Sequence, residues 1–228
     1  RRVAELRSVG AVVVGLWIED WAGARVTPFG TRMWWNWEVD ADLYPAWPEL
    51  VSELANEGVR VLIYLNPFLA DATSKENKKR NLFAEAKEAG LLVKTDGGEL
   101  FTVGQGGFDA GLLDLTKPEA VVFIRSVMDA QLALGVSGWM ADFGEALPYD
   151  AVLASGEDPR KWHNEYPRAW ARVSREAAEA AGKWADVLFF SRSGDLKSPG
   201  TTRAFWVGDQ MVSWDGFDGL QTVVPAMT

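Results

Sequence analysis

Short apolar runs alternate with helical patterns from one end of this chain to the other, and that alternation constrains its fold more than any other feature. The segments are Ala11–Ile18, Leu50–Glu57, Val59–Leu65, Asn77–Ala89, Pro118–Leu134, Gly138–Ala141, Pro167–Ala181, Val187–Phe190 and Thr202–Trp206. Five of them read as strands. Their apolar runs are nearly continuous rather than alternating, as in parallel strands with helices on one side and a packed barrel interior on the other. The expected class is therefore α/β, a (β/α)8 TIM barrel. Closure needs eight strands, so the chain is expected to supply about strands 2 to 6. Residues 1–228 are then the central part of such a domain, with the first strand and the last two strands outside them. Arg1–Leu6 reads as an amphipathic helix and Val223–Thr228 as the helix after the fifth strand.

Composition narrows the chemistry. There is no cysteine and one histidine, His163, so neither a Cys-ligated zinc site nor a multi-His metal centre is available. No metal or organic cofactor is expected. With 23 Lys+Arg against 32 Asp+Glu, a net charge of −9, the basic face that nucleic acid requires is lacking, and a small-molecule partner is favoured. No apolar run approaches the ~20 residues of a spanning helix, so membrane insertion is not expected, and the cytoplasm is the default compartment. The 12 Trp exceed what packing usually recruits. Indole faces stack on pyranose C–H groups, although Trp also fills cores.

Barrel active sites lie at the C-terminal ends of strands. The residues there are Glu19-Asp20-Trp21, Asn66-Pro67, Asp142-Phe143-Gly144-Glu145, Ser191-Arg192-Ser193 and Gly208-Asp209-Gln210. Asp142 and Asp209 each follow a strand that ends in Trp plus a small residue, Trp139-Met140-Ala141 and Trp206-Val207-Gly208. One carboxylate so placed is most often a turn former or helix cap. Two of them at one barrel mouth match glycoside hydrolysis with retention, which uses one carboxyl group to attack and one to protonate. Trp139 and Trp206 beside them are candidate sugar-binding residues. Arg192 reads either as a sugar contact or as a structural ion-pair partner. Glu145 reads either as a group orienting the site or as a helix-start residue. Asp20 and Trp21 fit a sugar contact and a structural corner equally well. Gly104-Gln105-Gly106-Gly107 lacks the Lys and Ser/Thr of a phosphate cradle and reads as a loop, and Lys75–Arg80 reads as a solvent-facing basic stretch.

Gly138-Trp139-Met140-Ala141-Asp142-Phe143-Gly144-Glu145 resembles the nucleophile motif of glycoside hydrolase family 31, and Trp206-Val207-Gly208-Asp209-Gln210 resembles its acid/base motif. Between them Ser191-Arg192-Ser193 is similar to the family's strand-end arginine, and His163-Asn164-Glu165-Tyr166-Pro167 to its helix start. Within the family the likeness is densest to the sulfoquinovosidases, which cleave α-glycosides of 6-deoxy-6-sulfoglucose. It is carried by Glu19-Asp20-Trp21-Ala22-Gly23 and by Phe29-Gly30-Thr31-Arg32-Met33-Trp34-Trp35-Asn36-Trp37. The resemblance implies that Arg32 pairs with the sulfonate, that the Trp35 N–H donates to it, and that Glu19 binds sugar hydroxyls. A guanidinium fork and an indole donor suit a tetrahedral oxyanion.

The expected activity is retaining hydrolysis of α-sulfoquinovosides, with Asp142 attacking C1 and Asp209 serving as acid/base. Asp142 is expected to stay ionised. Asp209 is expected to be buried beside it and to hold its proton. A family α-glucosidase or α-xylosidase on neutral sugars is the nearer alternative, although it has little use for Arg32. A sugar-binding barrel without catalysis is the other, although it would be expected to lack a carboxylate. The 228 residues by themselves are expected to be inactive.

Overall fold

The computed structural model describes residues 2–227, with side chains described from 3 to 225. In chain order the elements are α1 (Arg2–Ser8), β1 (Gly15–Ile18), β2 (Ala24–Thr27), β3 (Gly30–Met33), α2 (Trp47–Asn56), β4 (Arg60–Leu65), β5 (Phe68–Ala70) and α3 (Leu82–Glu88). They continue with β6 (Thr102–Gly104), β7 (Asp109–Leu112), α4 (Pro118–Ala133), β8 (Gly138–Ala141), α5 (Pro159–Ala180), β9 (Leu188–Ser191), β10 (Ala204–Phe205) and α6 (Val223–Met227). Strands β1, β4, β8, β9 and β10 form one sheet in that order, every neighbouring pair parallel. These are the five strands expected from the sequence, and their spatial order repeats their chain order, as along an arc of a barrel.

Two antiparallel excursions were not expected. A hairpin, β2 with β3, follows β1, and a three-stranded sheet ordered β5-β7-β6 follows β4. Both arise just past the C-terminal end of a barrel strand, and both supply residues to the cleft at the strand ends.

Side chains alternate across the sheet. On β8, Trp139 and Ala141 are fully buried; Trp139 stacks on Phe189 of β9 and donates its indole N–H to Ser174 Oγ of α5 at 3.0 Å. Met140 and Asp142 fall on the opposite face and line the cleft. The packing at the start of β8 is close enough to require glycine. Gly138 has φ +148°, and a Cβ there would lie 1.7 Å from the Leu188 carbonyl oxygen.

Several boundaries differ from expectation. β1 begins at Gly15 rather than Ala11, since Ala11–Val14 lies outside the ladder with Val12 and Val14 exposed. α2 begins at Trp47, where Pro48 occupies the first turn. α3 begins only at Leu82, because Asn81 caps it by accepting from Ala84 N at 3.2 Å. α5 begins at Pro159 under an Asp158 cap, so His163–Pro167 lies inside the helix rather than at its start. Arg1 and Thr228 of the two expected terminal helices lie outside the described residues. Lys75 does not face solvent. It is buried, with Nζ donating to the Ala22 carbonyl at 2.9 Å and paired with Asp40 Oδ2 at 3.2 Å, which ties the β1-end loop to the segment before α3. Among the described residues no helix is long and apolar enough to cross a membrane.

Candidate active site

Asp142 follows β8 directly and is buried. Tyr64 OH of β4 donates to its Oδ2 at 2.5 Å, the Phe143 backbone N–H to its Oδ1 at 2.8 Å, and Arg192 Nε lies 3.3 Å from Oδ1. Burial raises the Asp142 pKa above the ordinary carboxylate value, while Tyr64, Arg192 and the Phe143 N–H pull it back and Glu145 adds to the rise. The expectation that Asp142 is held ionised thus meets an opposing force. Since its folded pKa is raised, its protonated form favours the fold, and that contribution is lost as pH rises through the folded value. Phe143 takes a left-handed conformation, φ 60°, and packs edge-on against both Trp35 and Phe68. For an aromatic residue this backbone is costly, and such conformations gather at functional sites.

Arg192, directly after β9, connects the carboxylates. Beyond Asp142 it donates from Nε and Nη2 to Glu145 Oε1, at 3.0 and 2.6 Å, and its Nη1 lies 4.0 Å from Asp209 Oδ2. Its guanidinium also sits 4.3 Å above the Phe143 ring. Glu145 is therefore a partner that orients Arg192, and it is exposed outside the cleft. The expected burial of Asp209 is not found: its side chain is 86% exposed. β10 is an edge strand of two residues, and among the described residues no further strand pairs with its far side to cover Asp209.

A cleft of about 480 Å³ opens over these groups. Asp142, Arg192, Asp209, Glu19, Arg32 and Trp35 all line it, so the sequence-derived set converges on one cavity. Trp35 is fixed by stacking on Phe68, centroids 5.6 Å apart. Arg32 makes no ion pair within the described residues and faces the opening. Burial raises the Glu19 pKa, and the negative charges of Asp20, Asp142 and Asp209 add to it in that order.

Two expected contacts do not belong to the cleft. Trp139 is core, on the helix-facing side of the alternating β8 strand. Trp206 packs edge-on against Phe190, centroids 5.4 Å apart, and lines a neighbouring recess that shares Arg192. Trp21 is a structural corner, wholly buried with its N–H donated to the Tyr64 carbonyl at 2.8 Å; Asp20 accepts from Tyr44 OH. His163 is likewise a packing residue, its Nδ1 2.6 Å from the Leu147 carbonyl oxygen. Sequence reasoning missed Tyr64, which lies inside an apolar run rather than after it, and the β6–β7 turn, whose Gly104, Gln105, Gly106 and Phe108 form a cleft wall. Among the described residues no cluster of three His, Asp or Glu could hold a metal.

Comparison with known proteins is decisive about family. A profile of the glycosyl hydrolases family 31 TIM-barrel domain matches residues 11–227. The chain belongs to glycoside hydrolase family 31. It is 39% identical over 227 residues to the sulfoquinovosidase of Escherichia coli K12, covering 99% of this chain and 32% of that protein. It is 38% identical to the sulfoquinovosidase of Agrobacterium fabrum, covering 98% and 33%. A solved family 31 sulfoquinovosidase from E. rectale, in complex with the aza-sugar inhibitor IFGSQ, superposes with a TM-score of 0.88 at 36% identity, covering 99% of this chain and 33% of that one. The chain thus spans about a third of the length of these relatives.

Proposed function

We propose that this chain builds the catalytic face of a retaining α-glycosidase whose substrates are α-glycosides of a 6-sulfonated sugar. The observation that carries the reading is Arg32: a cation with no carboxylate partner among the described residues, lining the same cleft as buried Asp142. A neutral sugar gives such a group nothing to neutralise. The similarity to sulfoquinovosidases supports the same substituent.

Asp142 attacks C1 from within the cleft, the glycosidic C–O bond breaks, and Asp209 gives its proton to the departing oxygen. Water then attacks the covalent glycosyl-enzyme while Asp209 takes back a proton, releasing sugar with retained configuration and freeing Asp142. Arg192 keeps Asp142 aimed, and the exposure of Asp209 leaves it open to both the leaving oxygen and water. Arg32 and Trp35 hold the sulfonate, and Glu19 the sugar hydroxyls.

Rates of the full-length protein on an aryl α-sulfoquinovoside and the matching α-glucoside test the reading, which predicts strong preference for the first. Arg32→Ala is expected to remove ~1.5–3 kcal/mol of charge-assisted contact, roughly a 10- to 100-fold loss of kcat/KM on the sulfonated substrate, with little change on the glucoside. Equal losses on both would make Arg32 structural. Lys at this position is expected to rescue only partly, because a point charge cannot reproduce the fork.

The hydroxyl of Tyr64 lowers the Asp142 pKa against burial. Tyr64→Phe is therefore expected to move the acid limb of the kcat/KM profile to higher pH, since more base is needed to ionise the nucleophile. A limb that stays put or moves to lower pH contradicts the role given to Tyr64.

A further inference from the structure

The β2–β3 hairpin carries a second cation. Arg25 stands directly opposite Arg32 in its register, so both side chains leave the same face, an arrangement in which like charges repel. Their surroundings differ. Arg32 opens into the cleft, whereas the Arg25 guanidinium lies between two rings, 3.8 Å from the Trp34 centroid and 3.8 Å from that of Phe108. Nε and Nη2 of Arg25 are buried and meet no hydrogen-bond acceptor. Burial lowers its pKa to about 10, with Asp71 acting in the opposite sense, so it remains a cation at neutral pH. A guanidinium held by aromatic faces rather than by carboxylates is a cation–π clamp.

What it clamps is the β6–β7 turn. Phe108 belongs to that turn, lines the cleft and meets Trp35 edge-on with centroids 5.4 Å apart. The turn also touches the tip of the β2–β3 hairpin. A Cβ added at Gly107, where φ is +117°, would lie 2.7 Å from Thr27 Cβ, and one at Gly106 would lie 3.3 Å from the Phe29 ring.

We propose that Arg25 is a positioning residue: by holding Phe108 against Trp34 it seats the β6–β7 turn on the β2–β3 hairpin, and so fixes the cleft wall behind Trp35 that sets selectivity for the substituent bound by Arg32. The identity of that substituent rests on the proposed sulfoquinovosidase function; the clamp does not. Without the cation the two rings lose their shared contact, Phe108 is free to move off Trp35, and the Arg32 end of the cleft widens. Asp142 is held separately, by Tyr64 and Arg192, so the loss falls on binding.

The test compares Arg25→Met, Arg25→Lys and Gly107→Ala with the unaltered full-length protein, reading KM, kcat and melting temperature on the aryl α-sulfoquinovoside and α-glucoside. Arg25→Met is expected to raise KM for the sulfonated substrate roughly tenfold, the scale of a partly buried cation–π contact, and to lower the preference over glucoside by about as much. Arg25→Lys should recover part of this, since it restores the charge. Gly107→Ala should raise KM in the same direction without altering any charge, and it decides the matter if Arg25→Met does not fold. A folded Arg25→Met protein with unchanged KM overturns the proposal, as does an equal fall in kcat on both sugars that tracks the melting temperature. If the unaltered protein prefers the glucoside, the sulfonate reading fails, and the clamp is judged by whether KM for the glucoside rises and Lys restores it.

Discussion

Asp142→Ala in the full-length protein is expected to cut turnover by roughly 10⁴-fold or more, the scale on which removing a nucleophile acts. Added azide is expected to restore part of the rate and to yield the β-glycosyl azide. The residue is small and buried at the floor of the cleft, so its removal leaves room for a small anion to attack C1 from the same face. A merely structural Asp142 would not give an inverted azide product. Asp209→Ala is expected to behave differently. It should keep more of its kcat/KM on substrates with good leaving groups, which need little protonation, and lose it steeply as the leaving group becomes more basic. A uniform loss across leaving groups contradicts the assignment of Asp209, whatever the size of that loss.

The 228-residue chain produced by itself is expected to show no glycosidase turnover and no cooperative melting transition. β1 and β10 are each paired on one side only, so the sheet has two open edges. Apolar surface that a closed barrel and its outer helices would bury is in part exposed: Trp17 at 45% and Phe205 at 47%, with Trp214 at 74% and Phe217 at 93% beyond them. Domain stability is typically only ~5–15 kcal/mol, and leaving about three of eight strand-helix units unmade exceeds that margin. Size-exclusion chromatography is expected to show aggregates. A soluble monomer that melts cooperatively and cleaves a sulfoquinovoside would mean that the sheet closes by some other route.

The barrel strands were legible because each is a near-continuous apolar run that ends in a charged or polar residue, and that junction is where Asp142, Arg192 and Glu19 stand. The excursions were not. β6 is three residues, too short for its alternation to register as a strand, and β2 and β3 are four-residue strands that mix charge with apolar residues. Lys75 was misread for a different reason: its buried partner, Asp40, is distant in sequence, and a local charge run cannot report it. Strand parity would have corrected two other readings. Trp17 and Glu19, Tyr64 and Asn66, Met140 and Asp142, Phe190 and Arg192 are each two apart, so members of a pair share a face. That rule places Tyr64 on the cleft side with the mouth residues and sends Trp139, one removed from Met140, to the helices.

Because the spatial order of the sheet repeats its chain order, Asp142, at the end of the middle strand β8, is served by the strands on both sides of it. Tyr64 of β4 donates to one carboxylate oxygen, and Arg192, directly after β9, lies against the other. Each flanking strand thus holds one oxygen of the buried group, and the rotation of the carboxylate is fixed by two neighbours that never touch the same atom.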